Sequence, residues 1–346
     1  MRIVQLGPWP PPHGGIQTHL VAVRHQARQQ GHFCAVINLT RFRAADGDDV
    51  YYPQSAPQVP RLLWRLRPDV IHLHIGGHLT PRLLALCLIC AGIPHSKSVL
   101  TFHSGGYPSS PEGRSARWFS LRGMVFRRLD RIIAVNRQIE ALFHRFGVAP
   151  GRVCLIPPHG APPLSGVSCP ERLARFIASH RPFLFTVGLL EPEYDLPLQI
   201  EVLGRVRERH PGAGLVIAGA GSLEPALRAL ISQTPWGEHV LLWGDMPHAV
   251  TLKGIADCDA LLRTTHYDGD SIAVREALAL GAPVIATDTG MRPPGVHLVP
   301  PRDAEALVTA IDACVGRGRG SPPPAPGADQ GNIEAVVKLY EDLGGA

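Results

Sequence analysis

The chain has 346 residues, a length that suits two α/β domains of ~150–180 residues and exceeds what one small core can organise. Hydrophobic residues make up 45% of it, which excludes a globally disordered protein. The net charge of +5 divides unevenly, as +12 over residues 1–160 and −7 over residues 161–346. The basic first half favours an anionic partner, and the alternative is a solvent-exposed surface rich in arginine.

Short runs rich in β-branched residues alternate with longer stretches of helical periodicity along the whole chain. In the first half we predict strands at residues 2–6, 33–37, 69–74, 98–102, 131–135 and 153–156, and helices that include 16–30 and 115–129. In the second half we predict strands at residues 183–187, 214–218, 239–243, 259–262, 283–287 and 296–299. Alternating strands and helices build right-handed βαβ units with parallel sheets.

Two stretches rich in Pro and Gly divide the chain. Residues 157–170 connect the halves, and residues 316–331 precede a last helix predicted at 333–343. We therefore expect domains at 1–162 and 163–330, with the terminal segment 331–346 packing on the first domain. The predicted fold class is α/β, with two Rossmann-like domains facing across a cleft.

The cysteines and the apolar runs bear on the compartment. Seven cysteines are scattered, and Cys87 and Cys90 lie inside an apolar run that indicates buried packing residues rather than zinc ligands. Met1 leads straight into a strand, and the longest apolar run is shorter than the ~20 residues that span a bilayer. We expect a cytoplasmic protein without leader or membrane-spanning helix.

Loops at the carboxyl ends of parallel strands are the places to search for a site. Gly14 and Gly15 follow the first strand and precede a helix, where backbone N–H groups can approach a phosphate, although a tight packing turn explains them as well. His103 follows the fourth strand in TFHSGG and is a candidate catalytic residue, with a structural role as the alternative.

Residues 263–290 form the richest loop, RTTHYDGDSIAVREALALGAPVIATDTG, and predict a helix from about Ser271 to Leu280. Asp268 is its candidate catalytic acid, and a carboxylate at Glu276 suits the vicinal hydroxyls of a ribose. The other candidate donor-binding residues of this loop are Arg263, Gly269, Asp270, Ser271, Ile272 and Arg275. Helix-capping acids with an exposed glutamate remain an alternative.

Two further patterns stay open. Asp268 and Asp270 match D-x-D, which elsewhere holds a divalent cation, but three residues match often by chance and we predict no metal site. The stretch 114–131 interleaves Arg with Trp118, Phe119 and other apolar residues, which suits either a membrane-surface helix or a core helix with arginines on its wet face.

The ordered motifs DVIHLH, TFH, RRLDRIIAVN, LFTVGLLEP, LVIAGAGSLE and EALALGAPVIATD resemble those of glycosyltransferase family 4, the retaining enzymes of the GT-B fold, over nearly the whole chain. The segment DGDS-x-x-VREALALG is similar to a subgroup tied to bacterial polysaccharide assembly. The resemblance implies that Glu276 binds the donor ribose, that Asp268 faces the transferred sugar and that His103 contacts the sugar near its reacting carbon.

The resemblance also assigns backbone contacts and shows two departures. It implies that Gly269 to Ile272 donate to sugar and phosphate, and that the loop of Gly14 and Gly15 closes over the phosphates. One departure is that the first acid of the E-x7-E segment is here Asp268, which is one methylene shorter than the family's glutamate. The other is that the family usually has an Arg and a Lys after the first strand of the second domain, where this chain has GLLEPEYD from Gly188 to Asp195. Arg263, Arg275 or Arg292 would then have to meet the diphosphate charge.

The resemblance implies a glycosyltransferase of the EC 2.4 class. It would move a sugar from a nucleotide diphosphate sugar to a glycan, lipid-linked or small-molecule acceptor, with no cofactor or metal and no nucleic-acid partner. The basic first half adds an expected peripheral contact with the inner face of the membrane. The alternatives are a non-catalytic binding or regulatory protein of the same fold and, less favoured, a sugar-nucleotide epimerase.

Overall fold

The computed structural model describes residues 1–11, 14–40, 44–157, 168–268, 271–315 and 331–345. They form two compact units. The first consists of residues 1–11, 15–157 and 331–345, and the second of residues 168–268 and 271–315. No helix of the described residues is both long and apolar enough to cross a membrane.

The first unit contains a seven-stranded sheet in the order β3-β2-β1-β4-β5-β6-β7, and every pairing is parallel. Its strands are β1 (Arg2–Gly7), β2 (Phe33–Asn38), β3 (Val50–Tyr51), β4 (Val70–Ile75), β5 (Lys97–Phe102), β6 (Arg131–Ala134) and β7 (Val153–Leu155). Its helices are α1 (Gly15–Gln29), α2 (Gln58–Leu66), α3 (Pro81–Gly92), α4 (Pro111–Arg114), α5 (Leu121–Phe126), α6 (Arg137–Arg145) and a terminal helix (Asn332–Gly344).

Helices cover both faces of this sheet, which is why its central strands are apolar almost throughout. All six residues of β4 are buried, as parallel strands with two covered faces require. The terminal helix closes one face by packing Val336, Val337 and Tyr340 with Ile3 of β1. It is therefore part of the core of the first unit.

The predicted helix at 115–129 is wrong. Helix α4 ends at Arg114 and α5 begins only at Leu121. Ser120 is the reason, because its hydroxyl accepts a hydrogen bond from the backbone N–H of Gly123 at 3.1 Å and starts a new helix. The residues between the two helices form a loop, and the side chain of Trp118 in that loop is 64% exposed.

The second unit contains a six-stranded sheet in the order β10-β9-β8-β11-β12-β13, again parallel throughout. Its strands are β8 (Phe183–Val187), β9 (Gly214–Ala218), β10 (Val240–Gly244), β11 (Ala260–Arg263), β12 (Val284–Thr287) and β13 (His297–Val299). Its helices are α7 (Glu171–Ser179), α8 (Leu196–Arg209), α9 (Glu224–Gln233), α10 (His248–Asp257), α11 (Ile272–Ala279) and α12 (Ala304–Val315).

The second unit, like the first, is a Rossmann-like domain in which helices pack on both faces of a parallel sheet. Leu184 at the centre of the sheet pairs with Leu215 on one side and Ala260 on the other. One apolar cluster joins the sheet to α8 and α12, and another joins it to α7, α10 and α11. Helices therefore cover both faces, and the predicted two-domain α/β class is confirmed.

Candidate functional site

In each sheet the strand order reverses at one place, and that place holds the candidate residues. The reversal lies between β1 and β4 in the first unit and between β8 and β11 in the second. At such a switch point the two neighbouring strand-to-helix connections leave in opposite directions and open a crevice at the carboxyl edge of the sheet.

The switch point of the first unit carries three histidines. His19 lies on α1, His74 in β4 and His103 directly after β5. One ring nitrogen from each lies within 4.8 Å of the others, and we call these residues the histidine cluster. His19 and His74 are buried, whereas His103 is partly buried.

Neighbouring side chains fix the tautomer of His74. The amide nitrogen of Gln5 donates to the carbonyl of Leu20 at 3.3 Å, so the amide oxygen of Gln5 faces the imidazole. That oxygen lies 3.0 Å from Nε2 of His74 and must accept a hydrogen bond from it. Nδ1 of a neutral His74 therefore carries a lone pair, and it lies 3.4 Å from Nε2 of His103.

Burial holds these rings in the neutral form. It lowers the pKa of His74 and of His103 well below the ordinary value for histidine, and the neighbouring imidazoles lower both further. His72, the next inward-facing histidine of β4, has its Nε2 2.7 Å from the hydroxyl of Thr101 and its Nδ1 hydrogen-bonded to the hydroxyl of Tyr340. At neutral pH the first switch point thus offers uncharged imidazoles.

At the switch point of the second unit, Asp268 lies between two buried arginines. Its Oδ2 accepts hydrogen bonds from Nε of Arg263 at 2.9 Å and from Nη1 of Arg292 at 2.8 Å. Burial by itself would raise the pKa of Asp268, but the two guanidinium groups outweigh it and hold the pKa below the ordinary value. We call these three residues the Arg-Asp-Arg unit; their charges add to one positive charge.

Gly188 and Tyr194 place Arg263. The Arg263 guanidinium carbon lies 4.7 Å from the centre of the Tyr194 ring, and its Nη1 donates to the carbonyl of Val187 at 3.0 Å. A Cβ atom on Gly188 would come within 2.1 Å of the Tyr194 ring. Glycine at 188 is therefore needed for the tyrosine to lie beside the arginine.

Glu276 is buried in the second turn of α11, with 3% of its surface exposed. Its Oε1 accepts a hydrogen bond of 2.6 Å from Nε2 of His248, the first residue of α10. Both helices start after a strand of the same parallel sheet, so this pair lies toward the sheet's carboxyl edge. The alternative of an exposed glutamate at this position is wrong.

The start of α11 has the expected form. Ser271 is the N-cap residue and Ile272 begins the helix, so its first-turn N–H groups point toward the loop that carries Asp268. Arg275 is partly buried one turn later. Gly269 and Asp270 lie outside the described residues. In the first unit, Gly15 is the first residue of α1, and Gly14 precedes it in the sequence but groups with the second unit.

Sequence reasoning missed the partners that come from distant segments. It did not pair Glu276 with His248, and it named Arg292 only as one of three cations for the phosphates. One of the three acids in the Gly188–Asp195 stretch also has a local role, since Glu191 accepts hydrogen bonds from the backbone N–H and the hydroxyl of Ser222 at 2.8 and 2.5 Å. In the sequence, the signal for that loop is the pair of glycines, Gly219 and Gly221, that precede Ser222.

Two protein-family models together match most of the chain. Residues 13–159 match "Glycosyltransferase Family 4" and residues 171–315 match "Glycosyl transferases group 1". The chain belongs to the glycosyltransferases, with a first part of the family 4 type and a second part of the group 1 type. The predicted enzyme class, EC 2.4, is that of these families and is confirmed at this level.

Relatives of this glycosyltransferase include two proteins of Mycobacterium tuberculosis. Glycogen synthase is 30% identical over 232 residues, which are 65% of this chain and 53% of that protein, so the chain spans about half the length of this relative. Phosphatidyl-myo-inositol mannosyltransferase is 26% identical over 333 residues, covering 86% of this chain and 82% of the relative.

The fold of this glycosyltransferase is also that of solved GT-B structures. HepE of Anabaena, solved in complex with UDP-glucose, aligns over 100% of this chain and 97% of its own, with a TM-score of 0.68 and 17% sequence identity. At this identity the likeness concerns the fold alone, and it confirms the predicted GT-B architecture.

Proposed function

We propose that this glycosyltransferase moves a sugar from a nucleotide diphosphate sugar to a hydroxyl group of a glycan, lipid-linked or small-molecule acceptor, with retention of the anomeric configuration. The two family models support sugar transfer, and HepE, a protein of the same fold, was solved with UDP-glucose. The observation that carries the proposal is the position of Glu276 and of the start of α11 beside the switch point of the second sheet.

Glu276 has the properties that a ribose-binding acid needs. A carboxylate accepts hydrogen bonds from two vicinal hydroxyls, and it does so more strongly where water is excluded. Among the described residues, the hydrogen-bond partner of Oε1 is His248, and the charge of a histidine is not permanent. A buried acid kept for structure alone would more often be paired with Arg or Lys.

The Arg-Asp-Arg unit takes the place of the missing phosphate-binding cations in this proposal. The stretch from Gly188 to Asp195 contains neither Lys nor Arg. Two charge-assisted hydrogen bonds to the diphosphate are lost with them, each worth about 1.5–3 kcal/mol. The positive charge of the Arg-Asp-Arg unit and the N-terminal dipole of α11 together favour an anion at this edge.

The remaining groups keep the roles that the resemblance to family 4 implies. In the first unit, His103 would contact the transferred sugar. In the second unit, Asp268 would hold the two arginines. The leaving diphosphate would take the acceptor proton through its own oxygen. Backbone N–H groups of Gly14 and Gly15 and of the α11 start would bind phosphate oxygens.

Transfer without a divalent metal is part of the proposal. Asp268 would be one ligand of the D-x-D alternative, but two guanidinium groups already contact its Oδ2. A divalent cation at the same oxygen would be repelled by both. The Arg-Asp-Arg unit therefore favours charge neutralisation by protein groups.

The acceptor side is proposed to face anionic lipid. The relative with the larger coverage is named for transfer to phosphatidyl-myo-inositol. In this chain Trp118 and Phe119, which we call the aromatic loop, are 64% and 63% exposed. A Cβ on Gly123 would lie 2.6 Å from the Trp118 carbonyl, so tight backbone packing holds the loop in this position. Arg117 and Arg122 flank it.

A donor panel tests the function. The purified chain is incubated with UDP-, GDP- and ADP-sugars and an extract of glycans and lipids, with and without EDTA, and the product's anomeric configuration is determined by NMR. We expect one donor class to be consumed, unchanged by EDTA, with retained configuration. An inverted product contradicts the retaining mechanism, and loss of transfer in EDTA revives the D-x-D metal site.

The tight packing around Tyr194 supports one alternative, a non-catalytic protein of the same fold. Tyr194 fills the space beside Gly188, and Asp268 is engaged by two arginines. Such a protein would bind the nucleotide sugar and show no turnover with any acceptor. Donor binding together with complete inactivity across the panel would favour it.

A further inference from the structure

We propose that His19, His74 and His103 form a binding site for a divalent transition metal of the zinc class. The three residues come from α1, β4 and the end of β5, so rigid elements meeting at the first switch point bring them together. Each supplies one ring nitrogen, and all three nitrogens lie within 4.8 Å of one another. Three imidazoles are a usual ligand set for Zn²⁺, with the fourth place left to water or a small ligand.

The separation of His74 and His103, although within reach of a weak hydrogen bond, is also that of two ligands of one metal ion. Their nitrogens are 3.4 Å apart, which is longer than the about 2.7–3.2 Å of an ordinary hydrogen bond. Zn–N bonds of about 2.0–2.1 Å at the tetrahedral angle place two ligating nitrogens about 3.3–3.4 Å apart. Because the three nitrogens lie within 4.8 Å of one another, the rings would have to close only slightly around a metal ion.

The surroundings of His74 match those of a metal-binding histidine. Such histidines nearly always donate their second ring N–H to an oxygen acceptor, which orients the ring and keeps the lone pair toward the metal. Gln5 supplies that acceptor at 3.0 Å, and its own amide is held by the carbonyl of Leu20. The lone pair on Nδ1 of His74 consequently points toward His103.

The kind of ligand also suits a transition metal at this place. The cluster contains no carboxylate and no thiol, which selects Zn²⁺, Co²⁺, Ni²⁺ or Cu²⁺ over Mg²⁺ or Ca²⁺. The metal is not a cofactor of transfer. It would occupy His103 and inhibit the enzyme, a consequence that rests on the proposed function.

The test is titration of the untagged, full-length chain with Zn²⁺ by calorimetry and with Co²⁺ by visible absorption. We expect one tight site and the intense absorption bands of four-coordinate Co²⁺. H74Q and H103Q are expected to weaken Zn²⁺ binding at least tenfold, and H103C, which keeps a metal ligand, to retain it. Because the chain has 17 histidines, the exposed His25 and His78, changed to Gln, serve as matched controls and should leave the site intact.

Three results separate the alternatives. Absence of tight binding by the wild-type chain, or equal binding by H103Q, overturns the metal site and leaves a hydrogen-bonded histidine cluster. If H74Q does not fold, as judged by circular dichroism, H103Q decides, because His103 is only partly buried and lies outside the strands. Zn²⁺ binding without inhibition supports the site and contradicts the role of His103 in transfer.

Discussion

At the scale of single residues, His248 forms a hydrogen bond to the buried carboxylate of Glu276, the proposed ribose-binding acid. The bond between them is 2.6 Å long. We propose His248 as a positioning residue, and predict that H248A raises the donor KM about tenfold while kcat changes less, since an unsatisfied buried group costs about 1–3 kcal/mol. H248Q keeps an N–H donor and should restore most of the affinity.

Steady-state kinetics over donor concentration measure this effect. The exposed His297 in the same unit, changed to Ala, is the control and should behave as the wild type. If H248A lowers kcat and leaves KM unchanged, His248 acts in the chemical step and not through the ribose-binding acid.

Asp268 gives a prediction about pH and stability. Its pKa in the folded protein is below the ordinary value, so the carboxylate stabilises the fold above the unfolded-state pKa of about 3.9. This contribution is lost as the pH falls through the lowered folded-state pKa. At pH 7 we expect D268N to be less stable by about 3–5 kcal/mol, because two buried arginines lose their partner.

Urea unfolding at pH 7, 5 and 3.5 measures the difference between D268N and wild type. It should be largest at pH 7 and shrink at the lowest pH. The exposed Glu208, changed to Gln, is the control and should show little difference at any of these values. A difference that grows as the pH falls would contradict the ion-pair interpretation.

Residues whose role depends on local position could be predicted, and residues whose role depends on a distant partner could not. Asp268, Ser271 and Glu276 follow a strand and begin a helix, so the sequence marks their edge of the sheet. His248 lies on a different helix, 28 residues away from Glu276. Nothing in its own surroundings in the sequence indicates that contact.

At the scale of elements, the aromatic loop is a turn that exposes apolar side chains next to arginines. Exposed Trp and Phe flanked by Arg insert at the interface of an anionic membrane. We predict that W118S/F119S reduces binding to phosphatidylglycerol vesicles at least tenfold, since each aromatic side chain transferred from water contributes about 1.5–3 kcal/mol. Vesicle sedimentation measures this.

The control for the loop is Trp64 on α2, a tryptophan that is 65% exposed outside the loop. The W64S variant should bind vesicles as the wild type does. Phosphatidylcholine vesicles should bind the wild type weakly, because they lack the negative charge that attracts arginines. Wild-type protein that ignores phosphatidylglycerol, or a double variant that binds as well as wild type, contradicts the membrane contact.

The elements that the sequence predicted well are short runs of apolar residues bounded by Gly or Pro. Strands β8 and β9 lie at the predicted residues 183–187 and 214–218, because such a run is typical of a buried strand. The break in the predicted helix 115–129 was missed, because capping by Ser120 outweighs an apolar periodicity that continues past it. The two-residue strand β3 is too short for any periodic signal.

At the scale of the whole molecule, the class of fold could be predicted, but the strand order could not. Alternating strands and helices require parallel sheets, whichever strands lie side by side. The strand order reverses beside β1 and beside β8, because the connections on the two sides leave the sheet in opposite directions. No local sequence pattern predicts that direction. Yet this reversal brings His19 to His74 in the first unit and Gly188 to Arg263 in the second.

The central claim is that Glu276 and the start of α11 bind a sugar nucleotide. Calorimetric titration of wild type and E276A with UDP- and GDP-sugars tests it most directly, with thermal unfolding to show that both proteins are folded. We predict that one nucleotide class binds the wild type and that E276A binds it at least tenfold more weakly. Equal affinity for the two proteins, or no binding of any sugar nucleotide by the wild type, would contradict the account.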